Sequence, residues 1–247
     1  MIKIENMSVE YPLMQFNSHS LRARIENFIG FKKGKNTEQI SPKVIGLENI
    51  NLDIKRGDKV SVIGHNGAGK TTLLRAISGI YPPTSGSLSV AGQVSSIIDI
   101  SFGFEDELSG LKNIELGLIF SGKTFQEAKE LAPRIAAEAL IGEAIERPIY
   151  TYSTGMALRV AFALATYEQP EILVMDEILG AGDEAFRSIA QQKIDDLIEN
   201  ASVCVLSSHD LGAVRKYTTK CLLLSKGHVQ FYGDVDQALD LYLSDIN

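Results

Sequence analysis

An apolar run, Lys59-Val60-Ser61-Val62-Ile63, leads into Gly64-His65-Asn66-Gly67-Ala68-Gly69-Lys70-Thr71, and a helix-patterned stretch follows. The eight residues satisfy G-x-x-x-x-G-K-[ST] at each fixed position. Glycines let the backbone curl until several N–H groups point inward at one anion. Lys70 can then reach β and γ phosphates, Thr71 can place a hydroxyl on Mg²⁺, and the helix aims its positive end at the same charge. A chance match in a glycine-rich turn would lack the strand before and the helix after. The reading is a nucleoside triphosphate site formed by Gly64, His65, Asn66, Gly67, Ala68, Gly69, Lys70, Thr71 and Thr72.

The rest of the chain repeats that strand-then-helix grammar. Residues 2 to 11 and 47 to 55 alternate apolar and polar, as half-buried strands do. Short strands follow the turn at Tyr81-Pro82-Pro83-Thr84-Ser85-Gly86. Residues 111 to 147 are mainly helical, with interruptions expected near Gly122 and Pro133. Glu171 to Met175, Ser202 to Ser208 and Cys221 to Ser225 are apolar strands, and a long helix is expected over about 184 to 200. Strands alternating with helices predict an α/β core with a largely parallel sheet and an inserted helical part.

Bulk properties exclude several classes. Of 247 residues, 45% are apolar, and 24 basic against 31 acidic residues give a net charge of −7. That acidity argues against nucleic acid as a partner, since phosphate contacts need clustered Lys and Arg. No apolar run approaches the ~18–20 residues of a bilayer span. The start, M-I-K-I-E-N-M-S-V-E, alternates like a strand and lacks the basic and apolar blocks of a signal peptide, so a cytosolic location is expected. Cys204 and Cys221 lie in apolar runs without metal-ligand spacing and are read as buried reduced thiols.

Asp176 and Glu177 follow the strand I-L-V-M, at the strand end where α/β ligands sit. Beside a phosphate loop, Asp176 is placed to hold Mg²⁺ and Glu177 to act as general base on an attacking water. Alone they would be two solvated acids. His209, in S-S-H-D after another strand, is either a solvated turn histidine or a γ-phosphate sensor. Tyr152-Ser153-Thr154-Gly155-Met156 is a small polar turn opening an apolar helix.

Taken in order, the phosphate loop, Y-S-T-G-M, I-L-V-M-D-E and S-S-H-D resemble the ATP-binding cassette ATPases over nearly the whole chain. The resemblance implies a single cassette domain, 1–247. It has an N-terminal antiparallel β subdomain, a helical subdomain at about 105–155 and an insertion at 12–46. It makes Y-S-T-G-M the counterpart of the signature usually written L-S-G-G-Q. Ser153, Thr154, Gly155 and Met156 would then meet the γ-phosphate held by a second copy, so a homodimer closing on two ATP molecules is expected. It matches Tyr11 to the aromatic that stacks on adenine and Asp183 to a loop crossing the dimer interface. Thr154 and Met156 depart from the pattern. The glutamine of the Q-loop is also absent from I-I-D-I-S-F-G-F at 97 to 104, where Asp99 is the residue available to the cation or water.

Within that family, Q-V-S-S-I-I-D-I-S-F-G-F-E-D-E-L-S-G-L-K-N-I and M-D-E-I-L-G-A-G-D-E-A-F resemble the ATPases of bacterial surface polysaccharide exporters, closest to the O-antigen type. The expected partners are a membrane permease and a lipid-linked polysaccharide cargo, at the cytoplasmic face of the inner membrane. Alternatives are capsule or teichoic-acid export, or a soluble cassette ATPase acting outside transport. No C-terminal carbohydrate-binding domain is expected. In the insertion, Leu21, Ile25, Phe28 and Ile29 share a helical face beside Arg22, Arg24, Lys32, Lys33 and Lys35. Such a stretch suits a membrane surface or permease, and equally a helix packed on its own domain.

Overall fold

The computed structural model describes residues 1–12, 43–98, 103–176 and 184–244. The insertion residues 13–42, with their basic amphipathic stretch, and Asp99, Glu177 and Asp183 lie outside the described residues.

Two sheets carry the fold. The smaller has the order β2-β1-β4, with β1 (Ile2–Pro12) antiparallel to both β2 (Lys43–Ile54) and β4 (Ser85–Val90). Ile2 and Ile4 point inward, but so do Met7 and Val9, so the alternation slips by one residue. The slip is at Asn6, whose φ of 48° and register shift mark a bulge. Asparagine tolerates that left-handed conformation, and a bulge re-aims every side chain beyond it. Without it Met7, Val9 and Tyr11 would all face away from the side that Ile2 and Ile4 bury. β2 begins at Lys43, ahead of the Leu47 start read from the sequence.

The larger sheet has the order β5-β6-β7-β3-β8-β9. Its strands are β3 (Lys59–Ile63), β5 (Val94–Ile97), β6 (Ile172–Asp176), β7 (Val203–Ser207), β8 (Lys220–Ser225) and β9 (His228–Gly233). All pair in parallel except the β8–β9 edge. β6 and β7 read as unbroken apolar runs because both faces are covered. One face packs on Leu73, Leu74 and Ile77 of α1 (Lys70–Ile77) and on the small sheet. The other packs on Phe186, Ala190, Ile194 and Leu197 of α5 (Glu184–Asn200). Cys204 and Cys221 are free and buried in β7 and β8, as expected.

Helices α2 (Gly110–Phe120), α3 (Phe125–Glu138) and α4 (Thr154–Ala165) share a separate core of Ile114, Leu118, Ala128, Ala132, Ile135, Val160 and Ala163. Thr124 and Glu127 form a capping box that starts α3. The break expected at Gly122 is present, with φ 95°. The break expected at Pro133 is not: α3 runs through it. Pro133 is exposed, so water can reach the carbonyl its ring leaves unpaired, while buried Ala128, Ala132 and Ile135 hold both halves. Helices α6 (Leu211–Tyr217) and α7 (Val235–Ser244) complete the chain as described.

Candidate nucleotide site

β3, β6 and β7 are neighbours, and their C-terminal ends converge: Val62 pairs with Ser207, and Ser207 with Asp176. A cleft of about 650 Å³ opens there. Its walls are Tyr11, Val44, Ile45 and Gly46 of the small sheet, residues 66–72 of the loop and first helical turn, and Asp176, Ser207 and His209.

The loop's shape is forced at two glycines. Gly64 has φ 147°, and a Cβ there would lie 2.2 Å from the Leu224 carbonyl oxygen in β8. Gly69, with φ 105°, precedes α1 without any side-chain cap. The first amides of that helix therefore have no capping side chain, an arrangement made for an anion. The curl is fixed from behind: Ala68 N–H donates to His65 O at 3.0 Å, and Gly227 N–H donates to Ala68 O at 2.9 Å. Lys70 is only 9% exposed and folds back over the loop, donating to Gly64 O at 2.7 Å and His65 O at 3.3 Å.

Among the described residues, the Asp176 carboxylate faces the start of α1. Thr71 Oγ1 donates to Asp176 Oδ2 at 2.7 Å, and Ser207 Oγ donates to Asp176 Oδ1. Two hydroxyls therefore hold the carboxylate in one orientation. Magnesium takes oxygen ligands, usually one or two carboxylates with waters and substrate phosphates. The Thr71 hydroxyl and Asp176 fit that pattern. Among the described residues no group of three or more His, Cys, Asp or Glu forms a protein-only cage. Ser207 escaped the sequence reading; a serine ending an apolar strand one position before S-H-D was the available signal.

At the other end of the cleft, Tyr11 stands edge-on to Tyr81 with centroids 5.3 Å apart. Its hydroxyl donates to Thr72 Oγ1 at 3.0 Å. Gly46 leaves room for the ring, since a Cβ there would come within 2.6 Å of it. Val44 and Ile45 are about half exposed beside it, an apolar lip that suits a flat base. Val44, Ile45 and Gly46 fall inside the insertion expected at 12–46, but the structure places them in β2.

Ser153–Met156 lie outside this cleft. They open α4, with the Ser153 hydroxyl accepting from Met156 N at 3.3 Å. Ser153, Gly155 and Met156 line a separate depression of about 220 Å³ with Leu140, Ile141 and Arg159. The turn is anchored by Tyr152, whose hydroxyl accepts from Gly110 N at 3.2 Å and donates to Ala144 O at 2.8 Å.

The ABC transporter family model matches residues 47–180, more than half of the chain. The chain belongs to the ABC transporter family. The cassette is 37% identical over 224 residues to the O-antigen export system ATP-binding protein RfbE of Yersinia enterocolitica, covering 90% of this chain and 93% of that one. It is 32% identical over 244 residues to the teichoic acids export ATP-binding protein TagH of Shouchella clausii, covering 99% of this chain and 65% of that longer one. Among solved structures, a dimeric ATP-binding cassette bound to ADP and phosphate shares the cassette fold with a TM-score of 0.68 and 23% identity, covering 95% of this chain and 99% of that one. No helix among the described residues is long and apolar enough to cross a membrane.

Proposed function

We propose that this cassette is the ATP-hydrolysing subunit of an exporter of lipid-linked surface polysaccharide of the O-antigen type. The observation that carries the cargo is the 37% identity to RfbE across nearly the full length of both chains. In this reading the protein is peripheral at the cytoplasmic face of the inner membrane and works on a separate permease. The TagH likeness supports a second reading, teichoic-acid export, with the same chemistry and a different polymer.

The chain's own residues divide the work on ATP. The amides of residues 66–70 and the Lys70 ammonium bind the β and γ phosphates. Lys70 exchanges its bonds to Gly64 O and His65 O for phosphate oxygens as the nucleotide enters. Tyr11 and the Val44–Ile45 lip take the base. Thr71 and Asp176 are the ligands for Mg²⁺, which when bound neutralises phosphate charge. Glu177, next to Asp176 in sequence, takes the proton of the attacking water, and His209 contacts the γ-phosphate from the end of β7. Ser153 and Gly155 serve the nucleotide of a second copy, with Thr154 and Met156 beside them and Asp183 at the interface. A head-to-tail homodimer thus encloses two ATP molecules. Closure moves the permease and hydrolysis reopens the pair.

The deciding experiment replaces the chromosomal copy with Glu177→Gln. Lipid-linked polymer should build up in the inner leaflet and vanish from the surface. Normal surface O-antigen with altered teichoic acid would select the second reading. Unaltered surface polymers of both kinds would remove the cargo assignment.

A further inference from the structure

The last described helix reaches back to the phosphate loop. Asp234 caps α7, its Oδ1 accepting from Asp236 N at 3.0 Å and Gln237 N at 3.2 Å. Ala238 and Leu239 are fully buried in a cluster with Ile63, Val214, Cys221 and Leu223. Tyr242 lies four residues after Ala238 and three after Leu239, on the same face of the helix. Its ring meets the His65 imidazole with centroids 5.3 Å apart and planes tilted by 42°.

His65 is otherwise an exposed residue, but its backbone is central to the loop. Its carbonyl accepts from Ala68 N at 3.0 Å, which closes the curl, and from Lys70 Nζ at 3.3 Å. Ile63, which enters the loop, is locked in the same cluster as α7. The loop's first turn is therefore held twice by one element, through the core at Ile63 and through a ring contact at His65.

We propose that Tyr242 is a positioning residue for the phosphate loop, acting through His65; this rests on reading the loop as the ATP site. Held by Tyr242, His65 keeps the loop curled before nucleotide arrives, so less ordering is paid on binding. Without the ring, that cost falls on ATP affinity. Neither Tyr242 nor His65 lines the cleft, so the chemical step should be spared. An aromatic pair of this kind is worth about a two- to tenfold change in affinity.

The test uses the full chain and a fluorescent ATP analogue, with ATPase kinetics and deuterium uptake at residues 64–69. Tyr242→Ala should raise Kd and KM about two- to tenfold, change kcat less than about twofold, and speed exchange in the loop. Tyr242→Phe keeps the ring and should match wild type. His65→Ala should reproduce the Kd rise, and the double variant should be no worse than either single one. Wild-type Kd and KM in Tyr242→Ala would overturn the proposal, as would a defective Tyr242→Phe or additive single effects. If Tyr242→Ala does not fold, unchanged affinity in the exposed-site variant His65→Ala overturns it. Wild-type protein that fails to bind the analogue would remove the nucleotide reading itself, and this inference with it.

Discussion

Asp176→Asn separates what the carboxylate does for the fold from what it does for the cation. In the folded chain Asp176 accepts one hydrogen bond from Thr71, at 2.7 Å, and one from Ser207. Charge-assisted bonds contribute about 1.5–3 kcal/mol each and neutral ones about 0.5–1.5. Asparagine keeps one acceptor and offers an amide donor, and both hydroxyls can rotate to suit it. Replacing two charged bonds by two neutral ones then costs about 2–3 kcal/mol, or a fall in Tm of about 4–12 °C for a chain of this size. The cation effect is of another kind. Wild-type protein at a nucleotide level of 100 Kd gains about 2.7 kcal/mol, and Mg²⁺ should increase the gain over that seen with chelator. In Asp176→Asn the Mg²⁺ increment should collapse. ATP in chelator should stabilise the variant at least as well as wild type, because one negative charge has left the neighbourhood of the triphosphate. Thermal unfolding with ATP, with and without Mg²⁺, reads both effects. A variant that keeps a wild-type Mg²⁺ increment would refute the assignment of Asp176 as a cation ligand.

Pro133→Ala restores an N–H to an exposed helix interior and removes a ring clash, so it should stabilise by about 1–2 kcal/mol after allowing for the freer unfolded chain; a lower Tm in chemical or thermal unfolding would contradict the packing argument for α3. Burial pushes the Cys204 thiol up to about 12 and the Cys221 thiol up to about 11, from an ordinary value near 9. Below that ordinary value their contribution to stability is complete; as pH rises past it, the unfolded chain loses protons that the folded chain keeps, so denaturant midpoints should fall above about pH 9, and less steeply in Cys204→Ala. The native protein at pH 8 should resist alkylation at both cysteines until denaturant is added, and rapid labelling would show the strands open. Equal mixing of inactive Lys70→Ala and Ser153→Glu chains should regain about a quarter of the wild-type sites if random pairing rebuilds one intact site in half of the dimers; no recovery under conditions where wild type dimerises would contradict the head-to-tail arrangement.

The core was legible because its strands announce themselves in composition. Ile172–Met175 and Val203–Leu206 are unbroken apolar runs, and only a strand covered on both faces needs that pattern in so few residues. The phosphate loop was legible because its glycines do work no other residue can do: a Cβ on Gly64 would collide with the Leu224 carbonyl. Asp176 was legible as the polar end of a buried strand. In each case a local pattern signals the requirement, even at Gly64, where a distant backbone imposes it.

What stayed hidden depends on pairings between distant parts of the chain. Ser207 matters because parallel pairing of β6 with β7 sets it opposite Asp176, a partnership 31 residues apart in sequence. Gly46 matters because the bulge at Asn6 turns Tyr11 toward it, and neither residue alone signals the other. Pro133 obeyed tertiary packing over its own helix-breaking preference. The signature turn is the instructive middle case. Ser153 caps α4 and the first intrahelical amide bond is made by Ala157, so the amides of Thr154 and Gly155 precede the helix's hydrogen-bond ladder. That is an anion-seeking end, yet it lines its own depression, apart from the phosphate cleft. A loop built for phosphates and a helix end suited to phosphate, held apart by separate cores in one chain, are most simply satisfied by the complementary halves of a second chain.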